Sequence, residues 1–122
     1  MKNAITTSLL LTILVALLVS VASVGVRHGR HPAISVAREG ILKVTEALDA
    51  YRLDCGGFPT TASGLPSLIT NAGVPGWKGP YLKRIPKDAW GNNFRYSLKE
   101  GAAEIRSAGP DMVFDTKDDI TN

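Results

Sequence analysis

An uncharged apolar run in the N-terminal part of this chain decides how much of it can form a folded domain. From Ala4 to Val26 there is no acidic or basic residue, and Leu, Val, Ile and Ala dominate. At 1.5 Å per residue, a helix of this length extends about 34 Å, which is enough to cross a hydrocarbon core of about 30 Å. The chain has 122 residues. What remains is about ninety residues, enough for one small domain with a modest core.

The apolar run has two interpretations. A secretory signal peptide would be cleaved after small residues, for which Val21–Ser23 is a candidate, whereas a retained anchor needs a longer run. The run is longer than the usual core of a signal peptide, so we favour a membrane anchor. Lys2 precedes the run and three arginines follow it, Arg27, Arg30 and Arg38. Taken alone, this charge balance would place the C-terminal part in the cytoplasm.

Beyond Pro32 the apolar residues become periodic. They follow one another at spacings of three and four, as on one face of a helix: Ile34, Ala37, Ile41, Val44, Leu48 and Tyr51. The pattern predicts a helix over residues 33–54 that ends at Gly56-Gly57. Its apolar face is expected to pack on a sheet of the same chain, and part of the helix could also contact the same helix in neighbouring subunits. We therefore divide the chain into a membrane segment with a juxtamembrane collar, residues 1–31, and a folded domain, residues 32–122.

The rest of the domain consists of short elements joined by turns. The sequence predicts a short helix over 63–71, a packed loop rich in Gly, Pro and aromatic residues over 72–92, and a β-hairpin over 93–107. The hairpin prediction rests on apolar and polar residues that alternate in two runs separated by Lys99–Gly101. The expected fold class is α+β, with a long N-terminal helix packed on a small antiparallel sheet.

An acidic stretch follows the predicted hairpin. The segment GPDMVFDTKDDI, residues 109–120, contains Asp111, Asp115, Asp118 and Asp119, although the net charge of the chain is +3. Two like charges 4 Å apart near a protein surface repel by about 4 kcal/mol, so the carboxylates must be separated or neutralised. Calcium binds six to eight oxygen ligands in flexible geometry, and such a loop could supply them, but the spacing is not that of an EF-hand. From the spacing alone, a solvated acidic loop without an ion is favoured over a calcium site.

Residues that would indicate an enzyme or a nucleic-acid-binding protein are lacking in the sequence. Cys55 is the only cysteine, and the two histidines, His28 and His31, lie beside the apolar run. There is no pair of nucleophile and base, no glycine-rich phosphate loop, no CxxC motif and no stripe of basic and aromatic residues. We expect a non-enzymatic protein that does not bind nucleic acid.

Three motifs in sequence order indicate a family. Residues 51–68 match YxxDxGxxPTTxxGLxxL, residues 86–96 match PxDxWGNxxxY, and residues 109–120 match GPDxxxxxxDDI. Together they resemble the major pseudopilin of bacterial type II secretion systems, over about residues 38–120. The resemblance implies a type IV pilin-like fold and a structural rather than enzymatic role. It also implies a single-pass protein of the bacterial inner membrane, with its C-terminal domain in the periplasm.

The same resemblance implies partners and a cofactor. Major pseudopilins assemble with other pseudopilin subunits into a periplasmic pseudopilus, which works with the secretion machinery to export folded proteins. Their C-terminal loop, which here corresponds to residues 108–120, binds Ca2+. Matched position by position, the ligands would be the side chains of Asp111, Asp118 and Asp119 and the backbone carbonyls near Ala108 and Val113. Asp115 matches no family position and is either a further ligand or a solvated charge.

The N-terminus departs from the family pattern. The family normally has a GFTLxE motif. A leader peptidase cuts after the glycine of this motif, and the glutamate serves assembly in the membrane. Here no glycine precedes Gly25 and no acidic residue precedes Glu39. Two alternatives to a filament subunit therefore stay open. One is a membrane-anchored periplasmic accessory or binding module that does not polymerise, and the other is an exported domain released near Ser23.

Overall fold

The computed structural model describes residues 31–122, and its longest element is helix α1, Pro32–Cys55. Proline suits the first turn of a helix because its missing N–H has no intrahelical partner there. Gly56 ends the helix in the left-handed conformation, at φ 81°, and its N–H donates a hydrogen bond to the carbonyl of Arg52 at 2.9 Å. The prediction of a helix over 33–54 is confirmed to within one residue at each end.

The predicted membrane segment lies outside the described residues. Within residues 31–122, no helix is both long enough and apolar enough to cross a bilayer.

A three-stranded antiparallel sheet faces α1. Its strands are β1, Arg95–Lys99, β2, Ala102–Ser107, and β3, Ile120–Thr121, in the spatial order β1-β2-β3. Tyr96 pairs with Ile105 across the hairpin, and Ser107 pairs with Ile120. The predicted hairpin is confirmed, with Glu100 and Gly101 at positive φ in its turn. β3 was not predicted, because a two-residue strand is too short to show an alternating pattern.

The core lies between the inner face of α1 and the sheet. Val44, Leu48, Leu68 and Ile105 are at most 1% exposed, and further helix residues of the predicted stripe are buried around them: Ala37, Ile41 and Tyr51. The fold class is therefore α+β, as expected, with one helix packed on a small antiparallel sheet.

The short helix predicted over 63–71 is smaller than expected. Only Leu65–Leu68 is helical, as a single 3₁₀ turn. Pro66 in its first turn has no N–H to donate. Beyond it, the side chain of Asn71 accepts hydrogen bonds from the backbone N–H groups of Gly73 and Val74, both at 2.9 Å. This Asx turn competes with helical hydrogen bonds and ends the segment.

The segment 72–92 is a packed loop, as predicted. Trp77, Tyr81 and Trp90 are partly buried against the core. Tyr81 meets Tyr51 of α1 and Trp77 in edge-to-face contacts, with ring centroids 5.7 and 5.6 Å apart. The indole N–H of Trp77 also donates to the carbonyl of Ser67 at 2.9 Å. Aromatic contacts thus attach the loop to the helix.

Candidate functional site

The acidic loop, which we define as residues 108–119, connects β2 to β3. Both of its ends are held by the pairing of Ser107 with Ile120. Gly109 has φ +71°, and a Cβ atom at this position would overlap the carbonyl of Asp118. The chain therefore closes on itself at this point, and glycine is required both for the conformation and for the close approach.

A buried hydrogen-bond chain anchors the start of the acidic loop. The hydroxyl of Ser107, which is fully buried, donates to Asp88 Oδ2 at 2.7 Å and accepts from the N–H of Gly109 at 3.1 Å. The other oxygen of Asp88 accepts from the N–H groups of Trp90 and Asn92, at 3.1 and 2.8 Å. Asp88 is only 5% exposed, and these donors satisfy its charge. The turn at Trp90–Asn92, which we call the WGN turn, and the acidic loop are thus joined through one carboxylate.

The residues that were predicted to bind an ion differ in their surroundings. Asp111 and Asp118 are exposed, and Asp111 Oδ1 accepts a hydrogen bond from the N–H of Val113 at 2.9 Å. The side chain of Asp119 is only 8% exposed. Ala108 is 1% exposed at the base of the loop, and Val113 is 57% exposed near its tip. The structure therefore places the five residues in one closed loop, with Asp119 on its inner side.

Asp119 holds the acidic loop together. Its Oδ2 accepts from the N–H of Asp115 at 2.9 Å and from Arg106 Nη1 at 3.3 Å, and its Oδ1 lies 3.5 Å from the N–H of Thr116. Burial raises the pKa of Asp119, but the two backbone N–H groups and the Arg106 charge outweigh burial, so its pKa is lowered overall. Asp119 is thus a carboxylate held in its charged form.

Two arginines of the sheet neutralise part of the acidic loop. Arg106 Nη1 lies 3.1 Å from Asp115 Oδ1, and Arg95 Nη1 lies 3.0 Å from Asp115 Oδ2. The guanidinium of Arg95 also lies over the ring of Phe114, 3.9 Å from its centroid. Asp115, whose role the sequence left open, therefore bridges two arginines.

Sequence reasoning missed four of these residues. Asp88 belongs to the PxDxWGN motif, which could have indicated its importance, whereas Ser107 carries no signal of its own. Arg95 and Arg106 occupy alternate positions of predicted strands and read there as solvated charges. Arg95 lies opposite Arg106 in the pairing of β1 with β2. This register places both guanidinium groups beside the loop.

The donor atoms of the acidic loop fit a hard cation. Asp111, Asp118 and Asp119 offer carboxylate oxygens, and Ala108 and Val113 offer carbonyl oxygens, which are the ligand types that calcium prefers. In the part of the chain that the structure describes, no three acidic, histidine or cysteine side chains already converge as a metal-holding group. The chemistry of the set fits calcium, although one of its carboxylates, Asp119, is paired with Arg106.

Comparison with known proteins gives the family. The model of the type II secretion system (T2SS) protein G family matches residues 26–122. The type II secretion system core protein G of Escherichia coli K12 is 42% identical over 89 residues, which cover 67% of this chain and 61% of that protein. The corresponding protein of Vibrio cholerae is 38% identical over 77 residues, 58% of this chain and 53% of that protein. This chain thus spans about six tenths or less of the length of these curated relatives.

A solved structure agrees with the sequence comparisons. The crystal structure of the major pseudopilin from the type 2 secretion system of enterohaemorrhagic Escherichia coli superposes with a TM-score of 0.66 at 31% identity. The match covers 75% of this chain and 86% of that one. The family is one of structural pseudopilins and not of enzymes. With the family model matched along the whole folded domain, the chain belongs to the type II secretion system protein G family, that of the major pseudopilins.

Proposed function

We propose that this chain is a structural subunit of a type II secretion pseudopilus. In this proposal it is a single-pass protein of the bacterial inner membrane, and residues 32–122 lie in the periplasm. Copies of the chain assemble with one another and with the secretion machinery, and the resulting filament helps to export folded proteins. The family match and the pseudopilin fold support this function.

The exposed side of α1 is the observation that carries the proposal. Its inner face is buried against the sheet, whereas Leu42 is 56% exposed and Leu53 is 80% exposed. These two residues are eleven positions apart, about three helical turns, so they share a face, and it is the face opposite Val44 and Leu48. Large apolar residues on the outer face of a helix favour packing against another helix. A second copy of α1 offers such a surface.

Cysteine crosslinking tests the assembly. Leu42→Cys and Leu53→Cys would be introduced into a Cys55→Ser background in cells that carry the secretion system. We expect oxidation to give disulfide-linked dimers from both helix positions, since each chain carries one thiol. A matched variant, Lys99→Cys, places an exposed thiol on β1, away from α1, and should give none. Crosslinking confined to Lys99→Cys, or absent from all three variants, would contradict packing through α1.

Mass spectrometry of the native N-terminus separates the alternatives. A processed chain that also crosslinks through α1 supports the filament subunit. An intact Met1 with no crosslinked dimers supports the accessory module that does not polymerise. A terminus near Ser23 identifies an exported domain instead.

We also propose that the acidic loop binds Ca2+ through Asp111, Asp118 and Asp119 and the carbonyls of Ala108 and Val113. A bound calcium ion would neutralise carboxylates that otherwise repel one another. The closure of the loop at Gly109 and Asp118, and the all-oxygen donor set, support this site.

Thermal unfolding in calcium and in chelator tests the site. Free calcium at a hundredfold its dissociation constant stabilises the folded state by about 2.7 kcal/mol. For a domain of this size, that corresponds to a rise in Tm of roughly 10 to 20 °C. Asp118→Asn should reduce the rise, whereas Asp49→Asn, on the exposed surface of α1, should leave it unchanged. The same Tm in calcium, in magnesium and in chelator would exclude the site.

A further inference from the structure

Arg106 is surrounded by three carboxylates, and two of them belong to the acidic loop. Its Nη2 lies 2.8 Å from Glu104 Oε1, and its Nη1 lies 3.1 Å from Asp115 and 3.3 Å from Asp119. The side chain is 24% exposed, so water screens these pairs only partly. Arg106 thus supplies a positive charge at the place where the loop carries its negative charge.

The hydrogen bonds of Asp119 conflict with a role as an ion ligand. Its Oδ2 is shared between Arg106 and the N–H of Asp115. A carboxylate that already pairs with a guanidinium has fewer lone pairs for a cation. A divalent ion beside Asp119 would also be repelled by the arginine charge. Asp119 can therefore bind calcium well only if Arg106 moves away.

Glu104 is an ion-pair partner of Arg106 that does not depend on the loop. It lies two residues before Arg106 on β2, so both side chains are on the same face of the strand. The contact between them, at 2.8 Å, is the shortest of the three ion pairs of Arg106 and does not involve the loop. The guanidinium can leave Asp115 and Asp119 and still keep a paired charge.

We propose that Arg106 is an internal counter-cation that sets the calcium affinity of the acidic loop. Without an ion, Arg106 holds Asp119 and Asp115 and keeps the loop closed. Calcium binding through Asp119 breaks this contact, while the Arg106–Glu104 pair, which is already formed, remains. The lost contact weakens the affinity. The inference rests on the calcium site proposed above, and it adds that the loop has a folded form that needs no metal.

Two measurements on the full chain test this role of Arg106. Arg106→Gln is compared with Lys117→Gln, which removes the same charge from an exposed position of the loop. Among the ion pairs of residues 31–122, none includes Lys117. In chelator, Arg106→Gln should lower Tm by several degrees more than Lys117→Gln. In calorimetric titration with calcium chloride, Arg106→Gln should bind about tenfold more tightly than the wild type, which corresponds to about 1.4 kcal/mol.

A second variant changes the affinity in the opposite direction. Glu104→Gln removes the carboxylate that keeps Arg106 paired once Asp119 binds the ion, so calcium should bind more weakly than to the wild type. In chelator, Asp115 and Asp119 still hold Arg106, so this variant should lose less Tm than Arg106→Gln does. This variant also covers the case in which Arg106→Gln does not fold. A wild-type calcium response that neither variant alters overturns the role of Arg106 alone. No calcium response in the wild type or in any variant overturns the calcium site itself.

Discussion

The helix–sheet layer, formed by α1 and strands β1 and β2, and the acidic loop are stabilised by different forces. In the layer, Leu48 and Ile105 are at most 1% exposed and pack among other apolar side chains. In the loop, Asp111, Asp115 and Asp118 are exposed, and the contacts are hydrogen bonds and ion pairs. Burial of apolar surface hardly responds to ions, whereas exposed charge pairs weaken as ionic strength rises. One small domain thus combines a fixed scaffold with a region whose order can depend on its ionic surroundings.

A cavity in the helix–sheet layer should have the largest effect. Ile105 is fully buried at the centre of β2, so Ile105→Ala should lower the free energy of unfolding by about 4 kcal/mol. Leu53→Ala, at an 80% exposed position of α1, should change it by less than about 0.5 kcal/mol. Urea unfolding in calcium and in chelator measures both. If the cost of Ile105→Ala depended on calcium, the two regions could not be treated as separately stabilised.

A smaller loss of stability is expected from a substitution at Asp88, where the helix–sheet layer and the acidic loop meet. Asp88 accepts hydrogen bonds from the WGN turn and from Ser107, which in turn holds Gly109 of the acidic loop. Asp88→Asn keeps the shape but loses the charge, so some of these bonds weaken, and the expected loss is about 2 kcal/mol. Asp49→Asn, whose ion pair with Arg52 is exposed on both sides, is the matched control and should be nearly neutral.

Hydrogen exchange tests whether the Asp88–Ser107 hydrogen bonds keep the acidic loop ordered. In Asp88→Asn the amides of Gly109 and Met112 should exchange faster, although they donate to Ser107 and to Gly109 and not to Asp88 itself. Unchanged exchange in the loop would show that it keeps its order without the Asp88–Ser107 chain.

The same comparison explains what could be predicted from the sequence. The helix and the hairpin repeat apolar residues with the periods of 3.6 and 2, so local patterns predict them. The helix predicted over 63–71 is longer than the 3₁₀ turn at Leu65–Leu68 that forms. The Asx turn of Asn71 competes with the helix through a side-chain hydrogen bond, which the apolar pattern does not show. β3 depends on pairing with β2 and not on its own two residues. The helix and the hairpin, which have a local period, were predicted, whereas β3 and the exact length of the 3₁₀ segment, which depend on particular hydrogen bonds, were not.

The candidate site shows the same limit. The acidic stretch and its family motif direct attention to Asp111, Asp118 and Asp119. The motif cannot show that Asp119 is partly buried while the other two are exposed, because this difference arises when the chain closes at Gly109. The contribution of Arg106 follows from the register of β1 and β2 and from the path of the loop, neither of which a linear pattern contains.

Tyr96 provides the smallest and most specific test, because it gives the helix–sheet layer a polar contact of its own. Its hydroxyl donates to the carbonyl of Pro59 at 2.6 Å. Burial, with a smaller contribution from Tyr51, raises the pKa of Tyr96 from 10.0 to about 12. Because the pKa of Tyr96 is raised in the folded state, protonated Tyr96 stabilises the fold fully below pH 10. This stabilisation is lost as the pH rises towards 12.

Tyr96→Phe should therefore have an effect that changes with pH. At pH 7 the variant loses one buried hydrogen bond and should be about 1 kcal/mol less stable. At pH 11 the wild type should have lost about 1.4 kcal/mol through Tyr96, so the difference between the two proteins should vanish or reverse. Both proteins are unfolded with urea in chelator at the two pH values. The difference between them reports Tyr96 alone, because all other titrating groups are present in both proteins. An equal difference at pH 7 and pH 11 would mean that Tyr96 titrates as an exposed tyrosine does, and that the layer near Pro59 admits water.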